Sequence, residues 1–238
     1  MSLRAVLLLS LAFCAPASPL ATAQEAQQQP AVQPAWQQDM ARRHEALIQQ
    51  NGPGTDTVLR DQLLAMKQQD QEARGFRAGS TGLQGQIATN LASIDQDLTD
   101  QLKQIFYAKG WPTIRLVGID ASNAAMLILT HTPDHAWQRS ILPQLETLAD
   151  SGKIDGSTLA LVVDKELVAT GQLQRYGSQF KFVNGAMAMY AVEDPASLDQ
   201  RRAQVLLPPM DVYRDMLEHI YHLKASNQIV SATPPAAK

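Results

Sequence analysis

Apolar residues at Ile87, Leu91, Ile94, Leu98, Leu102 and Ile105 recur at intervals of four, three, four, four and three. That spacing forms one stripe along a helix, so it predicts a long helix packed into the core and stopped by Gly110. Trp36 to Gln50 reads as an earlier helix, ended by Asn51-Gly52-Pro53-Gly54. Thr57 reads as the cap of a second, with Leu59, Leu63 and Met66 along one face and Arg74-Gly75 at its end. Gly79 to Gly85 holds three glycines and reads as a loop.

Beyond Gly110 the pattern stays helical until it breaks into a hairpin. Pro112 fixes a turn within Gly110-Trp111-Pro112-Thr113, and Ala121 to Thr130 forms a short apolar helix with His131 at its end. Thr132-Pro133-Asp134 reads as the next start, with Thr132 as cap and Trp137, Ile141, Leu145 and Leu148 as the buried face. Pro143 would kink that helix. Ser157 or Thr158 would cap the next, where Leu159, Val162, Val163 and Leu167 surround Asp164; its β-branched valines keep a strand open as the alternative. Asn184-Gly185 is a favoured type I′ turn, and a two-residue loop there pairs Phe182 with Met187 and Phe180 with Met189 on one face. Asp194-Pro195 begins a turn, Ser197 to Val205 a helix, Pro208-Pro209 a break, and Met210 to Lys224 a last helix. The fold class expected is mainly α (α+β): a single helical domain over residues 36–224 with one C-terminal β-hairpin.

Composition changes the picture chiefly at the ends. Residues 1–23 have the form of a signal peptide: Arg4, the apolar run Ala5 to Ala12, and Ala21-Thr22-Ala23 before Gln24. That run is shorter than the roughly 20 residues needed to span a bilayer. Phe13 before Cys14 is too bulky for a lipid-attachment site, so no stable membrane anchor is expected once the signal is cleaved. The protein is expected to be exported, periplasmic or secreted. Residues 24–35, rich in Gln, Ala and Pro, read as a disordered linker, and residues 225–238 as a disordered tail. Arg4 is the signal's one charged residue, so its loss takes the formal charge of −3 to −4. Mild acidity argues against nucleic-acid binding, which calls for a basic patch or stripe. Cys14, the one cysteine, leaves with the signal, so the mature chain has neither disulfides nor thiolate ligands.

The ordered residues resemble an uncharacterised bacterial family, a domain of unknown function found in cytoplasmic and exported proteins. The resemblance spans roughly residues 59–217. It rests on Asp70-Gln71 with Arg74, the GWPT turn, Gly118, His131, Asp164, Gln174-x-Tyr176-Gly177-Ser178-Gln179 and Asp199-x-Arg201-Arg202-Ala203. Thr130, Lys165 and Ser178 stand where the family usually has Gln, Arg and Thr. The resemblance implies positions rather than a reaction.

Candidate chemistry gathers between Lys109 and Gln179. His131 is a candidate general acid or base, or else caps the carbonyls of its own helix. Asp164, set in an apolar helix, requires a partner, and Arg201, Arg202 and His131 are the candidates. Trp111, Gln174, Tyr176, Gln179 and Arg201 are candidate ligand-binding residues for a small polar ligand or an envelope protein, in a pocket between the GWPT turn and the YGSQ bend. His131, Asp134 and His135 have the spacing of helical metal ligands, but Pro133 breaks the helix between them, so neither metal nor cofactor is expected. Ser178 lacks the second glycine of a nucleophile elbow and precedes a strand. Two functions remain. One is a cell-envelope binding or interaction module. The other is a metal-independent hydrolase or transferase with His131 and Asp164 as acid–base groups. The enzyme needs those two side chains in one cleft; the module predicts separate structural roles for them. The absence of an evident nucleophile favours the module.

Overall fold

The computed structural model describes residues 34–76 and 85–232. The expected signal, nearly all of the linker and most of the Gly79 to Gly85 loop lie outside the described residues. Helices α1 (Ala35–Asn51), α2 (Thr57–Ala73) and α3 (Leu91–Lys109) come first, followed by the short α4 (Ile114–Val117) and α5 (Ile119–His131). Next are α6 (His135–Asp150) and α7 (Gly156–Ala169), then strands β1 (Phe180–Val183) and β2 (Ala186–Tyr190). Helices α8 (Leu198–Gln204) and α9 (Met210–Tyr221) and strand β3 (Ala225–Val230) complete the order. The architecture is thus mainly helical with a small C-terminal sheet.

Helix α5 is the hub. Ten of its residues are buried, and it packs against α2, α3, α4 and α7. Around it Leu59, Leu63, Leu98, Leu102, Trp111, Ile141, Leu145 and Val162 build one core, each large side chain contributing about 1.5–3 kcal/mol on burial. A backbone contact sets the entry to α2: Thr55 N–H and Asp56 N–H both donate to the Leu116 carbonyl at 2.8 Å. Gly118, at φ +81°, lets this approach happen, because a Cβ there would meet the Pro53 carbonyl at 2.8 Å.

The hairpin has the expected register, with Phe180 opposite Met189 and Phe182 opposite Met187. Asn184 and Gly185 adopt φ of 52° and 79°, as a type I′ turn requires. These strands, with Leu198, Tyr213 and Leu217, form a second apolar cluster.

The structure departs from the sequence reading at several element ends. Ile87 is exposed and precedes α3, which begins at Leu91; the chain is held there instead by Ala88 N–H donating to the Ala73 carbonyl. The caps of α2, α6 and α7 are Asp56, Asp134 and Asp155 rather than Thr57, Thr132 and Ser157 or Thr158. A carboxylate both accepts the free N–H groups and meets the positive helix end, so it outcompetes a hydroxyl one to three residues away. The segment around Asp164 is helix, not strand. Residues 225–230, which read as tail, form β3 parallel to β2, giving the sheet order β1-β2-β3.

Candidate functional site

The α2 stripe Leu59-Leu63-Met66 continues by the same spacing to Asp70, which is fully buried. Helix periodicity therefore drives a carboxylate into the core, and charge partners must meet it there. Arg74, one turn on, reaches Asp70 Oδ1 at 2.9 Å and Asp95 of α3 at 2.8 Å. Gln71 Nε2 donates to Asp70 Oδ2 at 2.8 Å. His131 Nδ1 lies 2.7 Å from Asp70 Oδ1, bringing in the end of α5. Burial pushes the His131 pKa down, and this outweighs the opposing pull of Asp70. A neutral imidazole donating Nδ1–H to the carboxylate follows. Lys165 of α7 closes the group by donating to the Thr130 carbonyl; burial brings its pKa down to about 8.

Asp164 is held by the main chain. Arg175 N–H and Tyr176 N–H donate to its Oδ1 at 2.7 and 3.0 Å, and Ser178 N–H to its Oδ2 at 2.9 Å. Burial pushes the Asp164 carboxyl pKa up while these amides pull it down, and burial prevails. The arginines expected to pair with Asp164 hold the carbonyls of two of the same residues. Arg201 Nε donates to the Arg175 carbonyl at 2.9 Å and Arg202 Nη1 to the Tyr176 carbonyl at 2.5 Å. Arg202 is fully buried and also stacks on the Tyr213 ring at 4.6 Å.

The remaining candidates brace the same bend. Gln174 is fully buried; its Nε2 donates to the Gln179 and Tyr190 carbonyls at 3.2 and 2.6 Å, and its Oε1 accepts Gln179 N–H at 2.8 Å. Gln179 Nε2 donates to Ser178 Oγ at 3.0 Å. Trp111 sits in the helical core at 3% exposure, whereas Tyr176 borders a cavity of about 190 Å³ together with Arg175 and Glu146. The structure thus gathers Asp164, Gln174, Tyr176, Gln179 and Arg201 at one bend and places Trp111 elsewhere, with Asp70 as the partner of His131. The residues of the metal-like spacing also part company. Asp134 caps α6 and meets Lys103 at 2.5 Å, and His135 meets Glu166 at 3.0 Å.

A larger space lies between α5 and α7. It measures about 610 Å³, with Met126, Leu127, Thr130 and Leu161 among its lining, and Met40 of α1 and Val212 and Met216 of α9 also lining it. Asp120, Asn123, Asp155, Ser157 and Thr158 supply polar groups where α5 and α7 begin. Helix α1, in which no residue is fully buried, contributes Trp36 and His44 to the same lining.

Sequence reasoning gave no role to Asp70 and did not find the trough. Asp70 was readable, since it continues an apolar stripe and has Arg74 at i+4. The trough was not, because α5 is apolar on nearly every side and nothing separates cavity-lining from core residues.

A family model described as a family of unknown function (DUF6624) matches residues 57–226, more than two thirds of the chain. Helix α1 precedes the matched stretch. No curated protein and no solved structure matches the chain.

Proposed function

The chain belongs to this family of unknown function, and we propose that it is an exported ligand-binding module whose seat is the trough between α5 and α7. One observation carries the reading: a space of about 610 Å³, apolar for most of its length and polar where the two helices begin. That is the size and make-up of a small-molecule site, where apolar walls supply affinity and a few polar groups set orientation. The engagement of His131 and Asp164 supports a module over the hydrolase or transferase alternative. The His131 side chain is 2% exposed and bonded to Asp70. Asp164 is fully buried and spent on backbone amides. An acid–base pair must instead reach a bound substrate from a shared cleft.

Export rests on the Arg4-to-Ala23 pattern, and mass spectrometry of protein from the cell envelope should find Gln24 at the N-terminus; an intact Met1 would remove it. The seat is tested with an environment-sensitive anilinonaphthalene dye. Saturable one-to-one binding is expected, and Leu161→Trp, which sets a bulkier side chain into the trough wall, should weaken it while melting stays cooperative. Unchanged dye affinity in a folded Leu161→Trp protein would place the seat elsewhere.

A further inference from the structure

We propose that the ligand of the trough is a single-chain amphiphile with a cationic head, seated with its head where α5 and α7 begin. The proposal rests on the reading of the trough as the binding seat and adds the chemistry of the occupant. The trough runs along one face of α5, from Asp120 through Asn123, Met126 and Leu127 to Thr130. Ten steps of about 1.5 Å make that run about 15 Å long, which suits an extended chain better than a compact ring system. Methionines 40, 126 and 216 line it, and their flexible, polarisable side chains adapt to a chain with many conformers.

The two ends differ in charge. At the beginning of α5 and α7 stand two carboxylates, Asp120 and Asp155, and among the described residues neither has a cationic partner. Asp155 is 4% exposed. Its Oδ1 caps α7 by accepting Ser157 N–H at 2.9 Å and Ser157 Oγ–H at 2.7 Å, and its Oδ2 receives Asn123 Nδ2 at 3.2 Å. The cap and the helix end offset part of its charge, and among the described residues no cationic side chain offsets the rest, while Asp155 borders the trough. Asp120 is exposed at the rim and adds a second negative charge to the same end. Lys67 also lines the trough. It lies one turn before Asp70, the partner of His131, and so near the opposite, Thr130 end. Being partly exposed, Lys67 keeps its contact with water and has far less need of a counter-ion than Asp155. The charge pattern therefore orients a cationic head toward Asp120 and Asp155 and leaves the chain over Met126, Leu127 and Leu161.

Calorimetric titration of the mature chain with twelve-carbon probes below their micelle concentrations tests the proposal. The probes are dodecylammonium, dodecyltrimethylammonium, dodecyl maltoside and dodecanoate. Both cationic probes should bind at least tenfold more tightly than dodecanoate. A preference for the primary ammonium over the trimethylated head would mark hydrogen bonding to Asp155, and equal binding would mark charge alone. Either result supports a cationic head. Asp120→Asn should weaken the cationic probes about threefold or more without changing the maltoside. Affinity independent of the head group, or tighter dodecanoate binding, overturns the cationic class while leaving the seat in place. Failure of all four probes in a protein that melts cooperatively overturns the seat and the class together.

Discussion

Asp70 and Asp164 are both sealed from solvent, and their surroundings differ in kind. Asp70 meets side chains: Arg74 from its own helix, Gln71 beside it and His131 from α5, with Arg74 passing the link on to Asp95 of α3. Asp164 meets main-chain amides of residues 175, 176 and 178, while Arg201 and Arg202 hold the carbonyls of the first two. The first arrangement fastens three helices to one another. The second orders a stretch of chain with no regular structure and delivers it into β1. The difference teaches why a carboxylate appears at each place. Helices satisfy their own backbone and need side-chain pairs to lock their relative positions, whereas an irregular buried segment carries unpaired N–H groups that a carboxylate can absorb. The residues on which the family resemblance rests fall largely into these two clamps. That is a structural explanation for motifs that look catalytic in isolation.

The largest effect should come from removing the amide-bound carboxylate. Asp164→Ala removes the acceptor of one buried N–H group, that of Ser178, and of two part-buried ones, those of Arg175 and Tyr176; at about 1–3 kcal/mol for a buried group and less for the others, a loss of roughly 3 kcal/mol is expected by urea denaturation. Asp164→Asn should cost less, about 2 kcal/mol, because one oxygen still accepts while the new amide faces the Ser178 N–H. A wild-type midpoint in Asp164→Ala would break the account of this clamp.

Asp70→Asn should come next, at about 2 kcal/mol. Breaking a buried ion pair costs about 3–5 kcal/mol, but Arg74 keeps Asp95 and is itself partly solvated, so the loss is smaller. Adding Asp95→Asn should remove that reserve and widen the deficit. If the added change costs nothing, Arg74 does not link α2 to α3 as described.

Acid should separate the clamps by sign. The His131 pKa lies below its unfolded value of about 6.5, so the unfolded chain takes up its proton first. Its stabilising share is complete above pH 6.5 and drains away as the pH falls from there toward the folded pKa. The Asp164 pKa is raised, so the folded chain takes up that proton first, and its share falls as the pH rises through the window above the unfolded value of about 3.9. The His131 share should therefore decline from pH 7 down to pH 5, and His131→Asn should take that decline out of the measured stability. An equally steep slope in His131→Asn would place the responsible proton elsewhere.

These clamps were unequally legible in the sequence. The α3 stripe and the Asn184-Gly185 register could be read because periodicity and turn chemistry act locally. Ile87 kept the phase of the stripe but lay before the helix, since phase alone does not mark where a helix starts. Asp56, Asp134 and Asp155 took over capping from hydroxyl residues nearby, a competition between neighbours that residue type alone leaves open. Strand β3, Ala-Ser-Asn-Gln-Ile-Val, has little apolar alternation because it pairs with the sheet while exposing much of its surface. The need of Asp164 for a partner was evident from its apolar helix, but the identity of that partner was not. Amides of residues 175, 176 and 178 have no side-chain signature, whereas Arg201, Arg202 and His131 announce a candidate partner by residue type.

The smallest expected effect is the most discriminating. A shared catalytic site would couple the Asp70–His131 group to Asp164, and residues in one network show interaction energies of about 0.5–3 kcal/mol. Here the hydrogen-bond partners of Asp70 are Arg74, Gln71 and His131, and those of Asp164 are the amides of residues 175, 176 and 178 with the Ser178 side chain. With no partner in common, Asp70→Asn and Asp164→Asn should add to within about 0.5 kcal/mol in a double-mutant cycle. Both single changes are costly, so the cycle is best run by urea denaturation in sucrose, which favours the compact state of all four proteins equally. Additivity would mean that each clamp answers to its own surroundings, as a binding module with two independent braces requires. A coupling above about 1 kcal/mol would join the two carboxylates in one network and return His131 and Asp164 to contention as parts of a single site.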